Sequence, residues 1–472
     1  MIIKEIDAPP VPEAIAAQLT AAPDMFWLDS GCDREKLGRY SFLGADPFFR
    51  VVARGRQTIA VDCRRRRREE ISTPLFPYLD SLLAKWRRPQ TGGLPFEAGA
   101  VGYFGYELGH LIERFPQSTV NDLRMPDLYL SFYDAIIAID HLQSKTYLVA
   151  TGLPETGTAR QQRARQRLAW LESLLRRAGR QPLPPAAPLE FTTGLEANFT
   201  YGQYTDAIAR ILEYIRAGDI YQVNLSQRFA IGCQGRPWDF YRRFRRLSPA
   251  PFGSYLEAGD HVIMSNSPER YLLIRDDYIE TRPIKGTRPR HRDADRDAQL
   301  RRELQQSPKD RAEHVMIVDL ERNDLGRIAR YGSVHVPEME IVESYANVHH
   351  LVSTVAARVD RRFSAIDCLV NSFPGGSITG APKLRAMEII DELEPTCRGV
   401  YTGSIGYLDF SGDLDLNIAI RTAIHHRDRL YFQVGGGIVA DSDPRLEYEE
   451  TITKAESFLK TLGGGFRPES DR

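Results

Sequence analysis

Glu269 and Lys285 open the chemical reading, because a carboxyl and a primary amine stand sixteen residues apart in SNSPERYLLIRDDYIETRPIKGTRPR. The stretch between them reads as strand, turn, strand, which would return the chain near its start and let both side chains reach one pocket. Lys285 lies in Pro283-Ile284-Lys285-Gly286-Thr287, where Pro and Gly set a bend and leave one long amine exposed. An amine held beside a metal ion and arginines loses its proton more readily and can act as a nucleophile. The plainer reading is a solvated loop lysine.

Paired acids come next. Asp310 and Glu313 are three apart on one expected helix; Glu447 and Glu450 are three apart on another, with Lys454 four further on. Such spacing puts side chains on one helical face. Two carboxylates from each helix, facing a common cleft, would hold a hard cation such as Mg²⁺ through oxygen. Against this, acids favour helix N-termini, and Glu450–Lys454 is an ordinary surface pair. Two glycine-rich segments could hold an anion. FPGGSITGAPK (373–383) runs a turn into a helix start but lacks the G-K-[ST] of a P-loop. VGGGIVADSD places Gly435, Gly436 and Gly437 in a strand, where glycine is costly unless a ligand or another backbone must come close.

These residues need elements to carry them. The first 150 residues read as β-rich, with strands over 48–52, 128–139 and 146–150. Then Leu168, Leu171, Leu174 and Leu175 mark a helix, with Gly179 as its expected C-cap. QPLPPAAPLE follows as a stiff linker. We divide the chain into 1–181, a proline-rich linker at 182–198, a second region at 199–465 and a tail at 466–472. The second region reads as alternating helix and strand: a helix over 204–217 ending at Gly218, a strand through DIYQVNLSQRFAI, and helices over 310–320 and 379–393, the latter with Pro382 in its first turn. LDLNIAIRTAI alternates cleanly and reads as one strand. A last helix starts with Asp443 as cap and Pro444 in its first turn, and runs to about Leu462.

Bulk properties narrow the classes. Acids number 63 and bases 62, a net charge of -1, which gives no general pull toward nucleic acid. The one basic run, Arg64 to Arg68, is followed by Glu69 and Glu70 and reads as a solvated edge. No apolar run is long enough to span a bilayer, and early acids and prolines do not suit a signal peptide. The five cysteines are scattered without metal spacing, which fits a reducing cytoplasm. Of the 62 bases only nine are lysine, leaving 53 arginines, so a lysine inside a glycine-rich or acidic segment stands out.

Taken together the segments resemble the chorismate-utilising enzymes: the component I subunits of anthranilate and aminodeoxychorismate synthases, and the isochorismate and salicylate synthases. The matching strings are IYQVNLSQRF, SPERYL, ETRPIKGTRPR, DRAEHVMIVDLERNDLGRI, HHLVS, FPGGSITGAPK, YTGSIGYLD, NIAIRT, GGGIVADSDP and EYEETITKA, in family order. WLDS, GRYSFLG, AVGYFGYEL and MPDLYLSFYDA extend the likeness into the first half. The resemblance implies an α/β (α+β) fold of the anthranilate synthase component I type, with two β-rich halves packed face to face, helices outside, and one shared site. It implies Mg²⁺ on Glu313 and Glu450, with Asp310 and Glu447 beside them. It implies substrate contacts from Tyr401, Arg421, Lys454, the amides of Gly435 to Gly437, and Ser377, with His350 at the reacting centre.

Two positions sort the chemistry within that family. Isochorismate and salicylate synthases resemble each other in carrying a water-activating lysine where this chain has Gln222, so the resemblance points to ammonia as nucleophile. Anthranilate synthases typically have alanine where this chain has Lys285, and aminodeoxychorismate synthases have PIKGT, as here. The implied reaction is chorismate to 4-amino-4-deoxychorismate, toward 4-aminobenzoate and folate, with Lys285 attacking carbon 2 and Glu269 protonating the leaving hydroxyl. No G-x-C-x-G nucleophile segment is present, so ammonia would come from a separate glutamine amidotransferase or from solution. Ser30, with GRYSFLG, and Pro249, in LSPAPF, resemble a tryptophan pocket. Anthranilate formation, or a non-catalytic chorismate-binding subunit, are the alternatives.

Overall fold

The structure, a computed structural model, describes every residue except Ala8, Ala346 and 464–472, so the tail placed at 466–472 lies outside the described residues. Two twelve-stranded sheets form the centre, and every strand pairing within them is antiparallel. The first sheet begins with strands from residues 2–150 and continues through strands from residues 190–438; the second mixes the two regions in the same way. The halves are therefore not one sheet each, as two β-rich halves would have it. Phe252–Ala258 pairs with Phe26–Asp29 in the first sheet, and Ser404–Asp409 with Gly99–Phe104 in the second, so the division runs through both.

The inner faces meet through Phe26, Phe42 and Ile263 of the first sheet and Tyr103, Ile405 and Tyr407 of the second. Helices cover the outer faces. Pro12–Leu19, Gly157–Arg180, Pro237–Leu247 and Pro444–Leu462 pack on the first sheet through Ile15, Leu171, Phe244 and Phe458. Leu75–Lys85, Pro308–Gly326 and Ala365–Ser372 pack on the second through Leu79, Val318 and Leu369, and Lys383–Leu393 lies against Gln222–Gln234 and Gly380–Ala381 of the first. Strands such as Leu128–Tyr133 and Ala135–Asp140 are buried at every residue, which is why their sequences are nearly all apolar rather than alternating. Among the described residues no helix is long and apolar enough to cross a membrane.

Local signals place several elements where expected. Tyr201–Ala217 ends at Gly218, whose φ of 82° suits glycine; Pro444–Leu462 begins at an Asp443 cap that accepts from Arg445 N and Leu446 N. The Arg64 to Arg68 run sits at an exposed hairpin turn. Other expectations are corrected. Residues 128–139 are two strands in different sheets. Gly179 lies inside the helix Gly157–Arg180, with Gln181 as C-cap. Residues 182–189 carry no helix or strand, but the rest of the proposed linker holds the strand Glu190–Ala197, paired with Gln222–Gln234. The helix expected over 379–393 begins only at Lys383, with Pro382 at its N-cap, because Gly380–Ala381 pairs with Gln222 and Val223. LDLNIAIRTAI is not one strand: Leu414–Asn417 belongs to the second sheet and Thr422–His426 to the first, and the chain crosses between them at 418–421, where Arg421 has φ 48°.

Candidate active site

Lys285 sits on a β-bulge. Ile284 pairs with Val352 and Thr287 with His350, so the strand Ile284–Pro289 carries one extra residue over its partner Val348–Arg358. Gly286 in the bulge has φ 87°, a conformation that other residues resist. A bulge re-aims a side chain, and here the amine turns into the protein. Its Nζ lies 3.8 Å from Glu313 Oε2, and an ideal Cβ on Gly437 would fall 2.5 Å from it. Burial pulls the Lys285 pKa below its ordinary value, and the nearby Lys454 charge acts in the same direction, while Glu313 opposes both. The result favours the neutral amine.

Glu269 reaches the same place by the hairpin. Arg270 pairs with Arg282, which brings the chain back on itself. Glu269 is 4% exposed, and its Oε1 accepts from Ser377 Oγ at 2.6 Å and from Ile284 N at 3.3 Å. Burial lifts its carboxyl to about 7, against the hydrogen bonds from Ser377 and Ile284 and the charge of Lys285. A carboxylic acid with that pKa can hold and give up a proton near neutrality. Ser377, not the start of the following helix, is what the FPGGSITGAPK segment contributes.

The helix acids gather at the glycine strand. A Cβ on Gly436 would lie 3.3 Å from Glu447 Oε2 and 3.8 Å from Glu450 Oε1. Burial raises the Glu313 pKa, and Asp310 and Glu450 add repulsion. Burial also raises that of Glu447, although Ser442 Oγ donates to its Oε1 at 2.6 Å. Glu450 moves down because Lys454 stands 2.7 Å away, and Lys454 Nζ also donates to Gly435 O at 2.8 Å. Asp310 is engaged by Arg288 at 2.7 Å. Among the described residues no three His, Cys, Asp or Glu side chains come close enough to hold an ion by themselves. Mg²⁺ commonly takes one or two carboxylates, waters and substrate oxygens instead. Glu313, raised chiefly by burial, and Glu450, 2.7 Å from Lys454, would offer two carboxylates for that mode of binding.

The remaining candidates divide. His350 Nδ1 is 2.9 Å from Thr287 Oγ1; its Nε2 is buried with no hydrogen-bond partner among the described residues, and burial together with Arg421 holds the ring uncharged, with a pKa of about 3. Gln222 is fully buried, and neither end of its amide has a partner among the described residues; its Nε2 would lie 2.9 Å from a Cβ on Gly437. Tyr401 is 5% exposed. Arg421 lines a small pocket with Pro249, Pro268, Tyr345 and Val348. Ser30 does not line it: its Oγ donates to Tyr40 O at 2.5 Å and reaches Pro251 O at 3.4 Å.

Sequence reasoning missed a second acidic pair. Glu321 and Asp324 are 3% exposed on the helix that carries Glu313. Glu321 Oε1 accepts from Gly376 N at 3.0 Å, and burial, with Asp324 beside it, lifts its carboxyl to about 7. Lys383 Nζ donates to Asp324 at 2.5 Å and to the carbonyls of Ser372 and Pro374 at 2.9 and 2.8 Å. Together they pin the turn that carries Ser377. The signal was present as the three-residue spacing inside DLERND.

An inward-turned lysine, a raised carboxyl and a glycine strand flanked by acids, set between two large antiparallel sheets, define a class. The chain belongs to the chorismate binding enzymes, a family that matches residues 24–460. It is 41% identical over 459 residues to aminodeoxychorismate synthase component 1 of Klebsiella aerogenes, covering 96% of this chain and 97% of that one. It is 40% identical over 463 residues to anthranilate synthase component 1 of Pseudomonas aeruginosa, covering 96% and 92%. The crystal structure of anthranilate synthase component I from Streptococcus pneumoniae superposes with a TM-score of 0.78 at 34% identity, covering 89% of this chain and 92% of that one.

Proposed function

We propose that this enzyme converts chorismate and ammonia to 4-amino-4-deoxychorismate, as the large component beside a glutamine amidotransferase that supplies the ammonia. The observation that carries the reading is the Lys285 amine, turned inward on its bulge against Gly437 with Glu269 and Glu313 around it. The naming of similar proteins as component 1 supports a partner subunit.

The residues suit two displacements. Neutral Lys285 attacks ring carbon 2, the double bond shifts, and the carbon 4 hydroxyl departs as water on receiving the proton of Glu269. Ammonia then adds at carbon 4, the double bond shifts back, and the lysine nitrogen leaves carbon 2. The proton released from the added nitrogen returns to Glu269, so the sum is chorismate and ammonia giving product and water. Glu313 and Glu450 would hold Mg²⁺, which when bound offsets the charge of the substrate's carboxylate. Arg421, Tyr401 and the Gly435 to Gly437 backbone would bind the rest of the substrate. Gln222 carries no charge and no basic atom, so it does not activate water.

Product analysis with chorismate, Mg²⁺ and ammonium tests this. 4-Amino-4-deoxychorismate is expected; fluorescent anthranilate would overturn the reading and favour the second one, to which the 40% identity with an anthranilate synthase lends support. Lys285→Ala should abolish formation of the 4-amino product or redirect amination to carbon 2. An unchanged rate and product would remove the covalent lysine.

A further inference from the structure

A buried arginine outside the reacting groups grips three segments of the site at once. Arg398 and Glu394 follow the helix Lys383–Leu393, and each is 3% exposed. Arg398 Nε and Nη2 hold the two oxygens of Glu394 at 3.0 and 2.7 Å. Nη2 also donates to Asn224 O at 2.7 Å, and Nη1 to Ile378 O at 3.0 Å and Thr402 Oγ1 at 3.3 Å. These five bonds match the five N–H groups of a guanidinium. Glu394 Oε1 in turn accepts from Ser226 N at 2.9 Å and Ser226 Oγ at 2.7 Å. The guanidinium carbon lies 4.8 Å from the Tyr106 ring and 5.9 Å from the Tyr401 ring.

Each gripped atom lies within two residues of a site residue in the chain. Ile378 follows Ser377, whose Oγ holds Glu269; Thr402 follows Tyr401; Asn224 is two residues after Gln222. Asn224 adds its own bonds, Nδ2 to Ile378 O at 3.1 Å and N to Thr379 O at 2.8 Å, so the strand and the turn are tied twice. We infer that Arg398, held by Glu394, is a positioning residue that sets Ser377 against Glu269 and holds the Tyr401–Thr402 segment. The inference rests on the reading of Glu269 as the proton donor. A lysine would keep the charge, but its three donors on a point ammonium cannot serve the five directions that the planar fork serves.

A double-mutant cycle of Arg398→Lys and Ser377→Ala tests this. Chorismate consumption is followed with Mg²⁺ and ammonium, kcat and KM are determined separately, and the unfolding midpoint is recorded for each variant. Arg398→Lys should lower kcat by about 10²-fold, the scale on which misplacing a reacting group costs rate. Ser377→Ala should also lower kcat, and the double variant should be no slower than Arg398→Lys alone, because the serine is already out of place. Glu394→Gln, which keeps the shape and removes the charge gripping the guanidinium, is carried through the same cycle and replaces Arg398→Lys if that variant does not fold. Losses that multiply in the double variant, or an unchanged kcat in both clamp variants, would overturn the inference. The cycle reads chorismate loss, so an anthranilate product would sink the proposed function without touching the clamp, and multiplying losses with the 4-amino product intact would sink the clamp alone.

Discussion

Replacing Glu269 by glutamine should stabilise the fold at high pH far more than at low pH. The substitution keeps the shape and an acceptor oxygen for Ser377 and Ile284, and removes ionisation. In the folded chain the carboxyl titrates at about 7, against 4.5 for an ordinary glutamate. Between those values the folded state keeps a proton that the unfolded chain has released. Stability associated with Glu269 is therefore fully present below pH 4.5 and lost as pH rises through about 7, where burying the charged form is at its most costly. The gap is about 2.5 pH units, and at roughly 1.4 kcal/mol per unit it is worth about 3 kcal/mol once pH exceeds 8. The side chain is 4% exposed, so solvent screening takes little from that figure. Glu107, Glu257 and Glu321 are also raised to about 7 by burial, but they are common to both proteins and cancel in the difference. Unfolding in urea at pH 5 and pH 8, parent beside variant, measures it. The variant should gain about 2 kcal/mol more over the parent at pH 8 than at pH 5. An equal difference at both pH values would refute the claim that burial holds this carboxyl neutral. Turnover by the variant should fall by about 10²-fold or more at both, since the proposed proton donor is gone.

Other perturbations follow the same geometry. The Ser377 hydrogen bond lowers the Glu269 pKa, so in Ser377→Ala the basic limb of the kcat–pH profile should move to higher pH; a limb that stays in place would detach the two groups. Gly437→Ala places a methyl 2.5 Å from Lys285 Nζ and 2.9 Å from Gln222 Nε2, so activity should fall about 10²-fold with little change in unfolding midpoint. Gly435→Ala should instead lower the midpoint, because its methyl meets Leu225 O across the sheet at 2.6 Å, and equal effects from the two would contradict the packing. Chelation should abolish turnover and Mg²⁺ restore it, and Glu450→Gln should raise the half-saturating Mg²⁺ concentration at least about tenfold. An unchanged Mg²⁺ requirement would remove Glu450 from the metal.

Much of the site was legible because its signals are local. The helix Tyr201–Ala217 with Gly218, the Asp443 cap on Pro444–Leu462, and the hairpin that returns Glu269 toward Lys285 each depend on a few neighbouring residues, and each is found in the structure. Family order in ten short strings did the rest, by marking which lysine and which acids to follow. Only the tertiary structure decided where the strands go. LDLNIAIRTAI alternates, yet Leu414–Asn417 and Thr422–His426 lie in opposite sheets. Alternation records that one face is buried, not which partner buries it. The same holds at the candidate site. The bulge that turns Lys285 inward exists only relative to His350 and Val352 on another strand, and Glu321 is buried only because the turn at Gly376, which donates to it, packs against its helix. The Glu269 carboxyl sits at about 7 because neighbours far apart in sequence exclude water from it, and desolvation is a property of the assembled fold.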